Sequence, residues 1–374
     1  MRVLICPDKF AGTATAVEVA AALAEGWRSV APTDELTARP LADGGPGFLS
    51  VLEAAQGGRR VPVNTVDPRG RPVQGHVLLV DGVGYVESAQ ACGLHLLRKS
   101  EQDPKVTTSY GLGLLLVAAV EAGAREIVVG LGGSAVNDGG AGMLAALGVA
   151  PVDAAGYALP YGGAALIGVA GLTGAPQLRQ ERLVAATDVD NPLLGPTGAS
   201  AVFGPQKGAT DDDVRLLDAA LAQWAEVLER QLPTCPPGLA GLPGAGAAGG
   251  IGAALLALGG RCESGIGLVQ RLTGWDAALA TADLVITGEG SFDQQSLRGK
   301  VVAGVAAAAR RRGIPCLVVA GRVAVDPAAA QAAGVTGAYS LVDHFDGDVA
   351  AAMERATTGL RELGAELARE HRRP

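Results

Sequence analysis

A glycine-rich polar loop at residues 130–140 constrains the fold of this chain more than any other feature. The loop reads Gly-Leu-Gly-Gly-Ser-Ala-Val-Asn-Asp-Gly-Gly, follows a short β-branched run and precedes good helix formers, Ala141–Leu147. Glycines let backbone amides approach a ligand, and Ser134, Asn137 and Asp138 are polar enough to bind one. Strand, glycine loop and helix in succession hold phosphate at the edge of an α/β sheet, whereas a tight turn with a helix N-cap is the alternative for any single loop.

The same pattern recurs along the chain, with a carboxylate or a lysine beside glycines at the end of a strand-like run. The recurrences are Asp8 with Lys9, Asp43, Asp188 with Asp190, Lys207, and Glu289 with Asp293. Carboxylate oxygens are suitable ligands for Mg²⁺, and backbone amides bind phosphate oxygens. One such carboxylate is more often a turn or N-cap residue, but the repetition favours a site for magnesium and phosphate.

Lysine is rare in this chain, because only five of its 30 basic residues are lysine. Three of them, Lys9, Lys207 and Lys300, lie in or beside the glycine loops. A compact ammonium pairs with phosphate where a bulky guanidinium would not fit, although chance clustering in so small a set is the alternative. The residues before Lys300 lack the spacing of a Walker P-loop.

Length and charge limit the class of protein. A chain of 374 residues is long enough for two domains. The 55 glycines are about double the usual ~7%, and they show no collagen-like period. A net charge of −8 argues against nucleic acid and anionic membranes as partners.

The cysteines and the apolar segments indicate the compartment. The five cysteines include no C-x-x-C pair, which is typical of a reducing compartment, and the four histidines show no zinc-ligand spacing. Arg2–Cys6 is predicted to be a strand rather than part of a signal peptide. The longest apolar run, near Leu112–Val120, is far short of the ~20 residues of a membrane-spanning helix. We therefore expect a cytoplasmic protein that does not cross a membrane.

Strand-like and helix-like segments alternate regularly at both ends of the chain, with a different texture between them. Asp81-Gly82 between two β-rich runs predicts a hairpin there. We predict an α/β fold of two domains. A Rossmann- or flavodoxin-like parallel-sheet domain would comprise residues 1–74 and 285–374, and an inserted mixed α/β domain would comprise residues 75–284.

Several local signals predict individual helices. Thr15-Ala-Val-Glu18 has the spacing of a capping box, and amphipathic helices are predicted from Asp211 to about Leu232 and over Val349–Arg369. The string Gly244–Gly249 fits G-x-G-x-x-G, but no strand precedes it and no acidic residue lies ~20 residues further on. It is predicted to be a loop that enters a helix.

Taken together, these strings resemble the bacterial glycerate kinase family, of the type that forms 2-phosphoglycerate. The matching segments are Pro7–Thr13, Ala42–Gly47, Asp67–Arg71, Gly132–Gly140, Asp188–Leu193, Phe203–Ala209, Gly244–Gly250 and Thr287–Lys300. They run in order through essentially the whole chain. Phe-Gly-Pro-Gln-Lys-Gly and the Asn137-Asp138 loop are highly specific.

The resemblance implies phosphorylation of D-glycerate to 2-phosphoglycerate, dependent on ATP and Mg²⁺, with the active site in the cleft between the two α/β domains. We expect a monomer or a homodimer. The expected nucleotide-binding residues are Gly132, Gly133, Ser134, Asn137, Asp138 and Lys300, with Lys207 also on the phosphates. Asp188 or Asp190 is expected to ligate Mg²⁺ or accept the proton of the acceptor hydroxyl, with Asp190 favoured. The expected acceptor side is Asp8, Lys9, Asp43, Glu289 and Asp293, with Lys9 facing the glycerate carboxylate.

The chain departs from the family pattern at five positions. These are Lys9 for serine, Ala11 for lysine, Pro46 for glutamate, Val136 for threonine and Ser291 for arginine. Loss of the arginine and the glutamate together is either a compensated charge swap or a change in acceptor choice. A kinase of a related small hydroxy acid, or an inactive regulator that binds a nucleotide or a hydroxy acid, is therefore the alternative.

Overall fold

The computed structural model describes residues 1–178, 181–294, 296–297 and 301–371. Its strands are β1 (Arg2–Ile5), β2 (Glu35–Ala38), β3 (Arg59–Val66), β4 (Pro72–Val80), β5 (Val83–Glu87), β6 (Glu126–Gly130), β7 (Val149–Val152), β8 (Gly171–Gly174), β9 (Arg182–Ala186), β10 (Arg261–Glu263), β11 (Leu284–Phe292), β12 (Cys316–Val323) and β13 (Gly337–Ser340). Its helices are α1 (Ala16–Val30), α2 (Phe48–Gln56), α3 (Ala89–Cys92), α4 (Tyr110–Glu121), α5 (Ala141–Ala146), α6 (Ala199–Phe203), α7 (Asp211–Gln231), α8 (Ala247–Ala257), α9 (Gly265–Thr273), α10 (Trp275–Thr281), α11 (Val301–Arg311), α12 (Pro327–Ala333), α13 (Leu341–His344), α14 (Val349–Glu354) and α15 (Ala356–His371).

The chain forms two compact units. The first comprises Met1–Asp43, Ser50–Gln56 and Ile266–Pro374, and the second comprises Gly44–Leu49 and Gly57–Gly265. These limits differ from the expected boundaries over residues 44–49, 57–74 and 266–284. Strand β3 pairs antiparallel with β4 along its whole length, which places it in the second unit. In the first unit α10 packs against β1.

The first unit contains a parallel five-stranded sheet in the order β13-β12-β11-β1-β2. Strand β1 lies between β2 and β11, with Val3 in register with Leu36 on one side and Leu284 on the other. Strands from both ends of the chain therefore build one sheet, as the alternation of segments predicted.

Helices α1 and α15 cover this sheet and pack closely against each other. The capping box that begins α1 is present, since Glu18 N donates to Thr15 Oγ1 and Thr15 N to the Glu18 carboxylate. A Cβ added at Gly26 would overlap the Arg361 carbonyl oxygen, so glycine allows the two backbones to approach.

The predicted helix over Val349–Arg369 is wrong as a single element. Arg355 leaves helical geometry at φ −109° and ψ 23°, which separates α14 from α15. Its guanidinium lies 4.9 Å from the centroid of the Phe345 ring. The break allows Ala352 on α14 and Ala356 on α15 both to be buried.

The second unit contains a mixed six-stranded sheet in the order β10-β9-β6-β5-β4-β3, and a separate antiparallel pair, β7-β8. The predicted hairpin between β4 and β5 is confirmed, with Asp81 at φ 48° and Gly82 at φ 82°. Both residues are left-handed, as a two-residue turn of this kind requires. The apolar helices α4 and α8 and the buried Trp224 of α7 contribute to the core.

These two units confirm the predicted α/β class, with one parallel sheet and one mixed sheet. In the described ranges no helix combines the length and apolar character needed to cross a membrane.

Candidate functional site

A cavity of about 510 Å³ lies at the carboxyl ends of β1, β11 and β12 in the first unit. We call it the first-unit cavity. Its polar lining contains every residue predicted for the acceptor side, namely Asp8, Lys9, Asp43, Glu289 and Asp293. The carboxyl edge of a parallel sheet is where open α/β folds bind ligands.

Asp8 and Lys9 form the centre of this polar lining. The Asp8 carboxylate accepts a 2.7 Å hydrogen bond from the Lys9 amide, and the Lys9 ammonium lies 3.6 Å from the same oxygen. Burial raises the pKa of Asp8 to about 6, against the lowering influence of the Lys9 charge, while the Asp43 charge raises it further. Asp8 is therefore a carboxylate that titrates close to neutral pH.

The opposite part of the lining is supplied by β11 and the residues after it. Glu289 is buried, and the turn at Asp293 is closed by its own amide, which donates to Ser296 Oγ at 3.1 Å. An apolar wall from α13 and α14 completes the cavity and includes the exposed side chains of Val349 and Met353. The cavity thus combines a charged floor with an apolar rim.

Arg322 also lines the first-unit cavity, and the sequence interpretation missed it. It lies near the end of β12, in register with Ser291 of β11. The signal was available in the sequence, because Arg322 follows Gly321 directly after the apolar run Cys316–Ala320. It was overlooked because only carboxylates and lysines were considered at such positions.

In the second unit the predicted glycine loop follows β6, and its backbone turns sharply. Gly133, Gly139 and Gly140 have φ of +68°, +60° and +73°, values at which a Cβ would be strained. Gly133 is exposed and Gly132 is half-buried. Backbone at the start of the loop is thus accessible to a ligand.

The polar side chains of this loop are buried, and they brace it from inside. Asp138 accepts from the Ser109 amide at 2.8 Å and the Ser109 hydroxyl at 2.9 Å, and Asn137 Nδ2 donates to Ser200 Oγ at 2.9 Å. Ser134 is also buried. This burial favours a structural role for the three side chains, and their assignment to nucleotide binding stays a prediction.

Lys207 lies beneath the same loop, with only 2% of its surface exposed. Its ammonium donates a 2.6 Å hydrogen bond to the Val136 carbonyl. Burial lowers the pKa of Lys207 to about 8, and the nearby Asp138 charge opposes that shift. The structure thus places Lys207 against the loop that contains Asn137 and Asp138, and its ammonium binds the loop backbone at Val136.

Asp188 and Asp190 follow β9, whose neighbour in the sheet is β6. The two loops therefore leave the same edge, and the Leu131 amide donates to the Ala186 carbonyl at 2.9 Å. Both aspartates are exposed in a shallow pocket of about 270 Å³, where Ser264 Oγ donates to Asp188 Oδ1 at 2.6 Å.

No group of three or more His, Cys, Asp or Glu side chains in the described part of the chain is arranged to hold a metal ion. Magnesium in phosphoryl-transfer enzymes commonly uses only one or two carboxylates together with phosphate oxygens and water. The carboxylates of Asp188 and Asp190 have the chemistry for that arrangement.

The segment Gly244–Gly250 connects the two second-unit loops. The Gly246 amide donates to the Asn191 carbonyl, and the Gly139 amide donates to the Gly249 carbonyl, both at 3.0 Å. Ala248, Gly249 and Gly250 are left-handed, with φ between 52° and 90°, before the regular part of α8 begins. As predicted, the G-x-G-x-x-G string is a loop that enters a helix. Lys300, the remaining predicted residue, lies outside the described residues.

Comparison with known proteins identifies the family. Residues 3–372 match the model of the glycerate kinase family. The chain is 41% identical to a glycerate kinase of Halalkalibacterium halodurans, over 91% of this chain and 90% of the relative. It is 39% identical to the glycerate 2-kinase of Escherichia coli, over 91% of each chain. The crystal structure of a putative glycerate kinase 2 from Salmonella typhimurium is similar, with a TM-score of 0.81 and 38% identity, and the match covers 99% of this chain and 98% of that one.

These matches confirm the resemblance, the fold class and the kinase class that the sequence predicted. The chain belongs to the glycerate kinase family.

Proposed function

We propose that this protein transfers the γ-phosphoryl group of ATP to D-glycerate, with Mg²⁺, and that the product is 2-phosphoglycerate. The observation that carries the proposal is the first-unit cavity, because it joins every residue predicted for the acceptor side at the ligand-binding edge of a parallel sheet. The relative from Escherichia coli, named glycerate 2-kinase, supports the choice of acceptor and product.

The glycine loop is assigned to the nucleotide. The accessible backbone of Gly132 and Gly133 is suited to phosphate oxygens, since amides of such loops bind anions. Asn137, Asp138 and Lys207 keep that backbone in place through the hydrogen bonds given above. In this arrangement Lys207 acts on the phosphates through the loop that it supports.

Asp188 and Asp190 are assigned to the metal and the proton. Magnesium, when bound with ATP, would neutralise charge that develops on the transferred phosphoryl group. Both carboxylates are exposed, but the Asp188 carboxylate also accepts a hydrogen bond from Ser264, and we therefore favour Asp190 as the group that receives the proton of the acceptor hydroxyl.

The reaction balances as an in-line displacement. The acceptor hydroxyl oxygen forms a bond to the γ-phosphorus, the bond from that phosphorus to the β–γ bridging oxygen breaks, and the hydroxyl proton passes to the carboxylate. Positioning and charge neutralisation supply most of the acceleration in reactions of this type. The protein therefore needs a rigid loop and a polar cavity more than a covalent nucleophile.

A coupled assay of ADP release with D-glycerate tests the function. Adding enolase without a mutase reports the product, since enolase consumes 2-phosphoglycerate directly. We expect turnover that requires ATP, Mg²⁺ and D-glycerate, followed by formation of phosphoenolpyruvate. Turnover with another small hydroxy acid but not with glycerate would favour the related kinase, and nucleotide binding without turnover would favour the regulator.

A further inference from the structure

Among the residues that the structure describes, the lining of the first-unit cavity carries more negative than positive charge. Four carboxylates line it, from Asp8, Asp43, Glu289 and Asp293, against two cations, Lys9 and Arg322. An acceptor with a carboxylate would be repelled by such a lining unless a cation faces it. The identity of that cation decides which acceptors the cavity accepts.

Lys9 is poorly placed to receive the acceptor carboxylate. Its backbone and its ammonium both face the Asp8 carboxylate, at 2.7 Å and 3.6 Å. The positive charge of Lys9 thus offsets the negative charge of Asp8, a carboxylate of the same lining. A substrate anion would have to compete with Asp8 for it.

Arg322 is in a different situation. Its side chain is exposed, and it pairs with no acidic side chain among the residues that the structure describes. Its register partner Ser291 is small and also lines the cavity, so the guanidinium has room beside it. Side chains of registered residues on neighbouring parallel strands point to the same face of the sheet.

We propose that Arg322 binds the carboxylate of the acceptor and makes the enzyme selective for hydroxy acids over uncharged polyols. A guanidinium offers a planar pair of donors that matches a carboxylate, which an ammonium does not. The proposal rests on the proposed function and assigns to Arg322 the contact that the sequence suggested for Lys9.

Steady-state kinetics of Arg322→Ala test the proposal, with Arg312→Ala as the matched control because Arg312 is an exposed arginine of the same unit outside the cavity. We expect the KM for D-glycerate to rise roughly 10- to 100-fold, the range for losing a hydrogen-bonded charge, with a smaller effect on kcat. The KM for ATP should not change. With glyceramide, which lacks the carboxylate charge, wild type and variant should have the same KM.

A second variant separates a charge contact from a structural effect. Adding Ser291→Arg to Arg322→Ala puts a guanidinium on the neighbouring strand at the same register position, and recovery of the KM for D-glycerate would support the proposal. An unchanged KM for D-glycerate in Arg322→Ala, or equal losses for D-glycerate and glyceramide, would overturn it.

Failure of the proposed function can be recognised separately. If the wild-type protein does not turn over D-glycerate, the proposed function fails, and calorimetric titration with D-glycerate and glyceramide still tests Arg322. Charge-selective weakening of binding in Arg322→Ala supports the inference in that case. Equal binding of D-glycerate by both proteins contradicts it.

Discussion

Replacing Asp8 by asparagine should stabilise the first unit while impairing catalysis. Burial raises the pKa of this carboxyl group from 3.8 to about 6. The difference between these two pKa values corresponds to about 3 kcal/mol, because a tenfold change in an equilibrium constant is worth about 1.4 kcal/mol. Asparagine has nearly the same shape, and its Oδ1 can still accept the hydrogen bond from the Lys9 amide. The variant should therefore lose the cost of the buried charge and keep the local geometry.

The sign of the effect depends on pH. Between about pH 4 and pH 6 the folded protein holds a proton on Asp8 that the unfolded chain has released, so the stability of the wild type falls as pH rises through this window. Above about pH 6 the full cost is present in the wild type, and Asp8→Asn should be more stable by up to about 3 kcal/mol. Near pH 4 the two proteins should differ little.

Hydrogen exchange of the β1 amides, in EDTA at several pH values, measures this difference. It reports the opening free energy of the first unit, which matters because a chain with two compact units need not unfold in one step. The exposed Glu354→Gln is the matched control in the same unit. A stability difference that does not change with pH, or a variant less stable than the wild type at pH 7.5, would refute the reasoning.

Three further changes test other parts of the molecule. Asp190→Asn should lower kcat by roughly 100-fold or more in the ADP-release assay and leave the Kd for ATP nearly unchanged, and near-normal turnover would remove Asp190 from its proposed role. Gly249→Ala should destabilise the second unit by more than 3 kcal/mol in denaturant titrations, since its Cβ would overlap the Val136 carbonyl; Gly123→Ala, also left-handed but open, should cost only about 1 kcal/mol. In the wild type the free energy of unfolding should rise between about pH 8 and pH 10.5, because the buried Lys207 ammonium has lost its proton while the unfolded chain still holds it. Lys207→Met should abolish this rise. A pH profile of stability parallel to that of the wild type would contradict the lowered pKa of Lys207.

Local features of the fold could be predicted from the sequence because their causes are local. The Asp81-Gly82 hairpin and the capping box at Thr15 depend on residues close together in the chain. The pairing partner of β3 has no such local cause, because a β-rich segment can pair with more than one strand edge. For this reason the sequence assigned β3 to the first domain, whereas it belongs to the second unit.

The candidate site shows the same division. Residue type and position at strand ends were sufficient to collect the carboxylates of the first-unit cavity. The direction of a side chain is set by packing, and so the inward orientation of Asn137 and the burial of the Lys207 ammonium could not be read from the pattern. Arg322 was missed because arginine is common in this chain, so that only carboxylates and lysines at strand ends were taken as candidate site residues.

The position of β1 between β2 and β11 has a consequence for how the protein is made. When the ribosome has released residues 57–265, every strand of the six-stranded sheet is available, and that sheet can pair completely. Strand β1, the first to be synthesised, still lacks one of its two neighbours at that moment, because β11 begins only at Leu284. The segment that emerges first is thus among the last to be fully paired, and its open edge must be kept from unwanted partners during most of translation.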